Sequence, residues 1–580
     1  MARQMGRRDF MRLSAMAGVT AAVAPSALSR VVWAAGPGLP GSRPFPSMPA
    51  GVPQPALAPE LANIDHIVLL MNENHSFDAH FGMLGHRVAS KAGLVDGYGA
   101  LGPDGNPTIE QADDKGNLYR SFAVNDQCQL NGAARPQGPG NNQGWDGSHQ
   151  EWDGGRMDGF VRADGQDALR YWDDQHDLGF LYSLAGYFPV GDRYFSSTLA
   201  PTYPNRVFAL CGSAVGLDST DTPPPDAVPP NGRIFDLLDQ YGISWADYWT
   251  NLPSAGLLGQ QWAASKAGTN FFGPHATIDG TLLEVEARLA SNTLQSVVLI
   301  EQDFLFGDEE PPQSLLAGQN FLYRVVSLFL KYPAVWARTM IVINYDEGGG
   351  FYDHVPPVAV PNPGDGHHPG DFKTPARPAN KWYGDDYTLT GFRVPNIVVS
   401  PWAKPNHVSH VFYDHTSVLR TIEYKWNLPA LTQRDLAANP MLDYLVPNNG
   451  LSAGQAPFAD PAAIQLVAAP PSTPTGNPDV DSNICDQNQA VLAAKYPPAL
   501  SGPAAPPSPA PAAGATRPLP NTSGGDGTAT AALALVAAGA AATGVSNAGR
   551  QMRKRSENSQ PHHRIDMDHQ SPDHPAPRRE

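Results

Sequence analysis

The sequence predicts an α/β fold in which a mostly parallel central sheet carries helices on both faces. Two short apolar segments, residues 64–71 and 340–344, are rich in β-branched residues and show no polar alternation. That composition is typical of strands buried inside a parallel sheet. Helical periodicity lies between the strand candidates, and the alternation of the two patterns indicates helices packed on both sides of the sheet.

The other elements follow along the chain. Further strand candidates are residues 243–248, 297–300 and 396–400. The clearest helical pattern covers residues 319–331, and Pro333 ends it because proline lacks the N–H group that a continuing helix needs. Residues 97–155 are rich in Gly, Asn, Asp and Pro, so we expect a long excursion there that covers the functional site.

Carboxylate and amide side chains directly follow the two apolar segments. Glu73 and Asn74 come after the first, and Asp346 and Glu347 come after the second. Ligands of open α/β sheets bind beyond the carboxyl ends of the strands, so we expect these side chains to converge on one site. Hard oxygen ligands suit a divalent cation. Ca²⁺, Mg²⁺, Mn²⁺ and Zn²⁺ all accept them, so one or more metal ions are predicted without an identity.

The charge balance limits the partners. The 580 residues carry 39 Lys and Arg against 56 Asp and Glu, a formal net charge of −17. This argues against nucleic acid, whose phosphate backbone binds basic surfaces. It does not exclude a phosphorylated substrate, because a bound metal ion can reverse the local field. Three cysteines allow one disulfide at most, and the sequence does not tell which two of Cys128, Cys211 and Cys485 would pair.

The first 35 residues have the layout of an export signal. Arg7 and Arg8 precede the apolar residues 13–23, an arrangement that resembles a twin-arginine signal peptide. We therefore expect export by the twin-arginine machinery. Residues 36–60 are rich in proline and indicate a linker. Residues 61–497 are predicted to form the folded domain that carries the site.

The C-terminal residues have the layout of a surface anchor. Residues 498–527 are a Pro/Ala linker containing LPNTS, which resembles a cell-wall sorting signal with Ser523 in place of the usual glycine. Residues 528–546 are an apolar run of marginal length for a membrane helix, since at about 1.5 Å per residue it falls slightly short of a hydrocarbon core of about 30 Å. A basic cluster follows within the polar, His-containing residues 547–580. We expect an extracellular protein held in the cell wall or membrane, with a sortase-like enzyme as a partner; the alternative is a disordered Ala-rich tail.

One hydroxyl group has the surroundings of a nucleophile. Thr202 lies between Pro201 and Pro204, just before a helical pattern, and proline is favoured at the start of a helix. A helix N-terminus would favour both an alkoxide and a phosphate at that position. The alternative is that Thr202 only caps the helix. The competing hydroxyls are those of Ser196, Ser197 and Thr198.

Four segments resemble the motifs of one family. Residues 73–78 read ENHSFD, similar to its ENRSFD signature, and residues 192–206 contain DRYFSS and PTYPNR, similar to its nucleophile segment. Residues 345–354 and 413–417 read YDEGGGFYDH and YDHTS, similar to two further blocks in the same order. The chain thus resembles the bacterial phosphoesterase family that contains phospholipases C and certain acid phosphatases. The resemblance implies an alkaline-phosphatase-like fold and hydrolysis of phosphate esters.

The resemblance also implies roles for single residues. Thr202 would be the nucleophile that forms a phospho-threonyl intermediate. The metal ligands would be Glu73, Asn74, Asp346 and Glu347, and the substrate would be bound by Asn74, Asn205 and Arg206. A histidine would protonate the leaving group, since its pKa lies near neutral pH. The candidates are His149, His354 and His415, and each has a structural hydrogen-bonding role as its alternative.

Three departures from the family pattern leave the substrate open. Gly348 stands where the family often has histidine. Residues 308–312 read DEEPP in the region where the family often has a His-Pro pair. Residues 142–145 read NQGW in place of Asp-His-Ser-Trp. Three functions therefore remain: a phospholipase C-type hydrolase, a phosphomonoesterase of the acid phosphatase type, and a surface-anchored binding protein without activity.

Overall fold

Ten strands lie in the part of the chain that the computed structural model describes, which is residues 58–130, 142–221, 223, 229, 231–304, 307–372, 380–468, 485 and 489–500. They are β1 (His66–Asn72), β2 (Glu110–Ala112), β3 (Leu118–Arg120), β4 (Val190–Gly191), β5 (Trp245–Tyr248), β6 (Phe271–Phe272), β7 (Val297–Ile300), β8 (Thr339–Tyr345), β9 (Asn396–Val399) and β10 (Val408–Ser409). Eight of them form one sheet in the order β10-β4-β9-β8-β1-β7-β5-β6, and β2 pairs with β3.

The central sheet is mostly parallel, as predicted. Strand β1 is parallel to both of its neighbours, β8 and β7, and β5 is parallel to β7 and β6. Strand β9 is the exception, because it runs antiparallel to β8 and to β4. The five strand candidates of the sequence correspond to β1, β5, β7, β8 and β9.

The α-helices of the described part surround this sheet. They are α1 (Phe77–Phe81), α2 (Leu84–Arg87), α3 (Trp145–Trp152), α4 (Phe160–Asp164), α5 (Gly179–Tyr187), α6 (Thr202–Cys211), α7 (Ile234–Gln240), α8 (Gln260–Ser265), α9 (Ile278–Ala290), α10 (Leu315–Leu330), α11 (Pro333–Trp336), α12 (Thr416–Trp426), α13 (Gln433–Ala437) and α14 (Gln489–Ala493). Short 3₁₀ turns lie at Pro59–Leu61, Ala89–Lys91, Asp153–Gly155, Gln166–Leu169, Ser254–Leu257, Ala453–Gln455 and Pro461–Ala463.

Apolar side chains cover both faces of the sheet, which is why its strands show no polar alternation. On one face, Ile67 and Leu69 of β1 belong to a core that also contains buried residues of α6, α7 and α12. On the other face, Val68 and Leu70 belong to a core built with α5, α9 and α10. Successive residues of a strand point to opposite faces, so β1 contributes to both cores. The prediction of helices on both faces is confirmed.

Helix α10 begins four residues before the predicted pattern. The reason is Ser314, whose hydroxyl oxygen accepts a hydrogen bond from the N–H of Leu316 and caps the helix. The predicted end is confirmed, since Pro333 is the first residue of the next helix, α11.

A disulfide joins Cys128 to Cys485, which settles the pairing that the sequence left open. Cys211 is free and buried at the end of α6. The bond connects the loop after β3 with the segment that leads into α14, residues separated by 357 positions in the chain.

Several predicted segments lie outside the described residues. These are the export signal (1–35), nearly all of both linkers, the sorting-like motif, the apolar run 528–546 and the tail 547–580. In the part of the chain that is described, no helix combines the length and the apolar composition needed to cross a membrane.

Candidate active site

The two predicted acidic pairs meet at one edge of the sheet. Strands β1 and β8 are parallel neighbours with Asn72 opposite Tyr345, so Glu73 and Asp346 leave the sheet side by side. The N–H of Asn74 donates to Asp346 Oδ1 at 3.1 Å, and the N–H of Glu347 donates to the same oxygen at 2.9 Å. All four side chains are buried. The structure therefore brings the four predicted metal ligands together.

The backbone at Asn74 takes a form that needs support from its surroundings. Its φ of +63° lies in the left-handed region, where asparagine is tolerated better than most residues. Gly349 packs directly against it, and a Cβ atom at position 349 would lie 1.9 Å from the Asn74 carbonyl oxygen. Backbone strain of this kind is common at binding sites, where it fixes the direction of a side chain. Here it directs Asn74 toward the carboxylates.

The amide of Asn74 gives a test of whether a cation fits. Its nitrogen donates to Asp346 Oδ1 at 3.0 Å and to Glu347 Oε1 at 2.9 Å, and its oxygen accepts from Gln143 Nε2 at 3.1 Å. The amide thus lies within contact distance of both carboxylates. A half turn of the amide would bring its oxygen beside theirs, and three such oxygens are the donor set that a hard divalent cation takes.

The negative charge of the site also favours a bound cation. Burial and the adjacent Asp346 carboxylate raise the pKa of Glu347 well above its usual range. Two carboxylates this close in a buried site repel each other unless a proton or a cation lies between them. The residues present therefore fit a divalent metal ion.

Sequence reasoning missed two further acidic residues of this cluster. Oxygens of Asp308 and Glu310 lie with one of Glu73 in a group whose members are all within 4.8 Å of one another. They come from the loop after β7, which has no strand or helix pattern that would have placed it. The signal that could have indicated them is the run of three carboxylates in DEEPP, which differs from the family pattern. The cluster thus offers more carboxylate oxygens than the four predicted ligands supply.

Thr202 is the first residue of α6, as the proline pattern predicted. Its hydroxyl lies at a helix N-terminus, where free N–H groups and the helix dipole favour negative charge. The preceding Pro201 has an extended backbone and no side chain that could cap the helix. Arg206 follows four residues later and so lies on the same helix face, one turn further on.

Asn205 shapes the loop that leads into Thr202. Its Oδ1 accepts from the N–H groups of Ser197 and Thr198 at 2.8 and 3.0 Å, and its Nδ2 donates to the Ala200 carbonyl at 2.7 Å. Both ends of the amide are thereby used within the chain. Asn205 consequently positions the nucleophile segment, in place of the substrate contact that we predicted.

Arg206 faces the carboxylates of the site. Its guanidinium is 3.2 Å from Glu73 Oε1, 3.3 Å from Asp346 Oδ2 and 3.5 Å from Glu301 Oε2. It also donates to the carbonyl oxygens of Met71 and Asn72. The side chain is 2% exposed, so it serves as an internal cation of the site, in place of the predicted substrate contact.

His415 holds the main chain at Asp346. Its Nε2 donates to the Asp346 carbonyl oxygen at 2.7 Å, and its Nδ1 is 3.2 Å from the hydroxyl of Tyr194. Burial lowers the pKa of His415 to about 4, so the ring is neutral at pH 7. A ring whose N–H is committed to a carbonyl has no proton to give, and His415 therefore has the structural role.

His354 belongs to a different cluster. Its Nδ1 is 2.7 Å from Asp78 Oδ2, its Nε2 is 3.3 Å from Asp96 Oδ1, and Arg393 lies beside it. Burial opposes the charge, but the Asp78 carboxylate outweighs it and raises the pKa of His354 to about 9. The structure does not bring His354 to the acidic pairs.

His149 retains a ring nitrogen for proton transfer. Its Nδ1 donates to the Trp145 carbonyl at 2.7 Å within α3, and its ring stacks on Tyr383 at 4.5 Å. Within the described residues its Nε2 makes no hydrogen bond and lies 3.5 Å from Asp385 Oδ2. Gln143, just before α3, donates to the amide oxygen of Asn74. Of the three histidines, His149 has the contacts that best suit a proton donor.

Comparison with known proteins gives matches over most of the chain. The Phosphoesterase family matches residues 64–429. The non-hemolytic phospholipase C of Pseudomonas aeruginosa is 28% identical over 451 residues, which are 73% of this chain and 60% of that protein. Phospholipase C B of Mycobacterium tuberculosis is 30% identical over 412 residues, 64% of this chain and 74% of that protein.

Among solved structures, an alkaline phosphatase superfamily protein from Vibrio parahaemolyticus is 8% identical with a TM-score of 0.29, and the match covers 71% of this chain and 96% of that one. The family match includes β1, β7, β8, β9 and both acidic pairs, together with Thr202. The chain therefore belongs to the Phosphoesterase family, whose members hydrolyse phosphoric esters.

Proposed function

We propose that this protein is an exported, metal-dependent hydrolase of phosphate esters, of the phospholipase C type. The observation that carries the proposal is the joint position of Thr202 and the acidic pairs. Thr202 begins α6, and the same helix binds Glu73 and Asp346 through Arg206. A hydroxyl at a helix N-terminus beside a carboxylate cluster suits phosphoryl transfer, which needs a nucleophile and neutralisation of phosphate oxygens.

The proposed reaction has two steps. The Thr202 oxygen, in its deprotonated form, attacks phosphorus; an Oγ–P bond forms and the bond from phosphorus to the leaving oxygen breaks. The leaving oxygen takes a proton carried by His149 Nε2. Water then attacks phosphorus and gives one of its protons back to His149 Nε2, the Oγ–P bond breaks, and Thr202 leaves as the alkoxide with which the cycle began.

The metal ion would be held by Glu73, Asn74, Asp346 and Glu347, with Asp308 and Glu310 as further oxygen donors. When bound, it would supply positive charge that stabilises phosphate oxygens and favours the deprotonated hydroxyl. Arg206 would hold the carboxylates of Glu73 and Asp346 in place, and His415 would hold the main chain at Asp346.

The names of the relatives support a phosphodiester of a phospholipid as the substrate. A phosphomonoesterase is the second candidate, because the chemistry at phosphorus is the same and only the second substituent differs. The chain spans 60% of the length of the Pseudomonas relative. The activity and the partners of the whole protein are therefore proposed for this chain. A binding protein without activity is less well supported, since Thr202 and both acidic pairs are intact.

A substrate panel tests the proposal. The purified protein, loaded with metal, is incubated with phosphatidylcholine vesicles and, separately, with p-nitrophenyl phosphate and glycerol phosphate. A phospholipase C releases diacylglycerol from the vesicles and little inorganic phosphate from the monoesters. Release of phosphate from the monoesters alone would favour the phosphatase. No turnover of either class, with the metal bound, would favour the binding protein.

A further inference from the structure

Glu301 lies behind the proposed ligands and belongs to none of the sequence motifs. It follows β7 directly, just as Glu73 follows β1 and Asp346 follows β8. The ends of these three strands lie at the same edge of the sheet because β7, β1 and β8 are parallel neighbours. One guanidinium, that of Arg206, contacts a carboxylate from each of the three.

The contacts of Glu301 fix its orientation toward Arg206. Its Oε1 accepts from the N–H of Ser254 at 3.0 Å, while its Oε2 is 3.5 Å from Arg206 Nη1. The Ser254 hydroxyl in turn accepts from Arg206 Nη1 at 3.2 Å. Glu301 and Ser254 therefore hold the guanidinium on the side opposite Glu73 and Asp346.

A cavity and a second carboxyl group lie beside Arg206 and Glu301. Arg206, Ser254 and Glu301 line a small cavity together with apolar side chains, and the cavity has room for about one water molecule. The neighbouring carboxyl group of Asp247 is also buried, and burial and the charge of Glu301 raise its pKa well above the usual range. Burial raises the pKa of Glu301 as well, while the Arg206 guanidinium opposes that rise. Of the two carboxyl groups, Glu301 is the one that contacts Arg206.

We infer that Glu301 is a positioning residue, which shares the positive charge of Arg206 and so leaves Glu73 and Asp346 available to a metal ion. The inference rests on the proposed metal-dependent function. Without the Glu301 charge, Arg206 would pair more closely with Glu73 and Asp346. The guanidinium would then compete with the metal ion for two of its ligands, although Glu301 itself does not touch the metal.

A double-mutant cycle on metal binding tests this inference. Mn²⁺ is titrated into metal-stripped protein, and the free ion is measured by electron paramagnetic resonance. Glu301→Gln keeps the shape of the side chain and the bond from Ser254, but removes the charge. We expect it to weaken Mn²⁺ binding by about fivefold or more, the size of coupling found for residues in contact. Glu301→Asp, which keeps the charge, should bind Mn²⁺ more tightly than Glu301→Gln.

The second arm separates an effect through Arg206 from a direct effect of charge. In an Arg206→Met background, Glu301→Gln should change the Mn²⁺ affinity by less than about twofold. The matched control is Glu284→Gln, which removes a surface carboxylate that pairs with Arg288. If Arg206→Met does not fold, the nitrogen-15 signal of Arg206 Nε supplies the readout; it should shift in Glu301→Gln and not in the control.

Any of three results would overturn the inference. The first is that Glu301→Gln binds Mn²⁺ with an affinity within twofold of wild type. The second is that Glu301→Gln weakens Mn²⁺ binding to the same extent in the Arg206→Met background, and the third is that the Arg206 Nε signal is unchanged in Glu301→Gln. If the wild-type protein binds no Mn²⁺, the metal-dependent function fails first and the inference fails with it. The wild-type titration therefore distinguishes failure of the proposed function from failure of the role of Glu301.

Discussion

Arg206 follows Thr202 by four residues, and this spacing ties the proposed nucleophile to the carboxylate cluster. The two side chains lie on one face of α6, one turn apart. Because Arg206 binds Glu73 and Asp346, the start of the helix is held at the edge of the sheet where the ligands lie. A buried charge that loses its partner destabilises a protein strongly. The contacts of Arg206 with Glu73 and Asp346 therefore hold these ligands in place whether or not a substrate is bound.

Replacement of Thr202 tests the nucleophile directly. Thr202→Val removes one hydroxyl at nearly constant volume, so the fold should persist while turnover falls by about a thousandfold or more. The matched control is Thr198→Val in the same loop, since the Thr198 hydroxyl has no hydrogen-bond partner within the described residues. Steady-state rates and thermal melting of both variants give the measurement. Activity of Thr202→Val above about 1% of wild type would remove Thr202 from the role.

Replacement of Asp346 tests the metal site. Asp346→Asn deletes a formal charge from a proposed cation ligand, and we expect the metal affinity to fall by at least about tenfold. Chelation should inactivate the wild-type protein, and added metal should restore the activity. Elemental analysis and calorimetric titration of the stripped protein provide the readouts. A wild-type enzyme that is fully active and free of metal after exhaustive chelation would contradict the prediction.

At the scale of elements, the sequence predicted the strands and the edge of the sheet that carries the site. Buried parallel strands have a strong local pattern, and the polar residues just after them, Glu73 and Asp346, are then placed by topology alone. The start of α6 at Thr202 was also readable, because proline marks a first helical turn.

The direction of single side chains could not be read from the sequence. Arg206 and Asn205 both lie in a motif beside the nucleophile, and only the packing of α6 shows that they face inward. Likewise, Asp308 and Glu310 reach Glu73 from a loop without periodicity. Such contacts depend on the tertiary structure, which local patterns do not encode.

The link between α1 and the loop after β8 should depend on pH. His354 in that loop binds Asp78 of α1, near Asp96, Asp353 and Arg393, and its pKa is raised from 6.5 to about 9. A raised pKa in the folded state adds stability that is fully present below pH 6.5 and is lost as the pH rises through 9. The shift corresponds to about 3 kcal/mol.

The measurement is thermal melting of wild type and His354→Gln from pH 6 to pH 10 at constant metal concentration. The variant should be less stable at pH 6, and the two curves should converge above pH 9. His410→Gln is the control, because that side chain is 60% exposed and its carboxylate partner is Asp192 and not Asp78. A stability difference that stays constant across this range would contradict the assignment of the charge to His354.

At the scale of the whole molecule, the described residues include every element that the proposed reaction uses. The last of them, Leu500, donates its N–H to the Leu118 carbonyl at 2.7 Å. The disulfide from Cys128 to Cys485 lies close by in the chain and ties the same C-terminal segment to the loop after β3. Activity and attachment to the cell are therefore expected to be separable at a point just after Leu500.

Truncation after Leu500 tests the proposed surface anchor. It keeps the metal ligands, Thr202 and the disulfide, so the purified protein should retain its activity. In the native host, the truncated protein should appear in the medium and the full-length protein in the wall or membrane fraction. Equal amounts of both forms in the medium would show that residues 501–580 do not act as an anchor. Mass spectrometry of the retained form then separates two mechanisms. Cleavage after Thr522 indicates a sortase-like enzyme. An intact C-terminus in the membrane fraction indicates that the apolar run 528–546 holds the protein and that Ser523 prevents sorting.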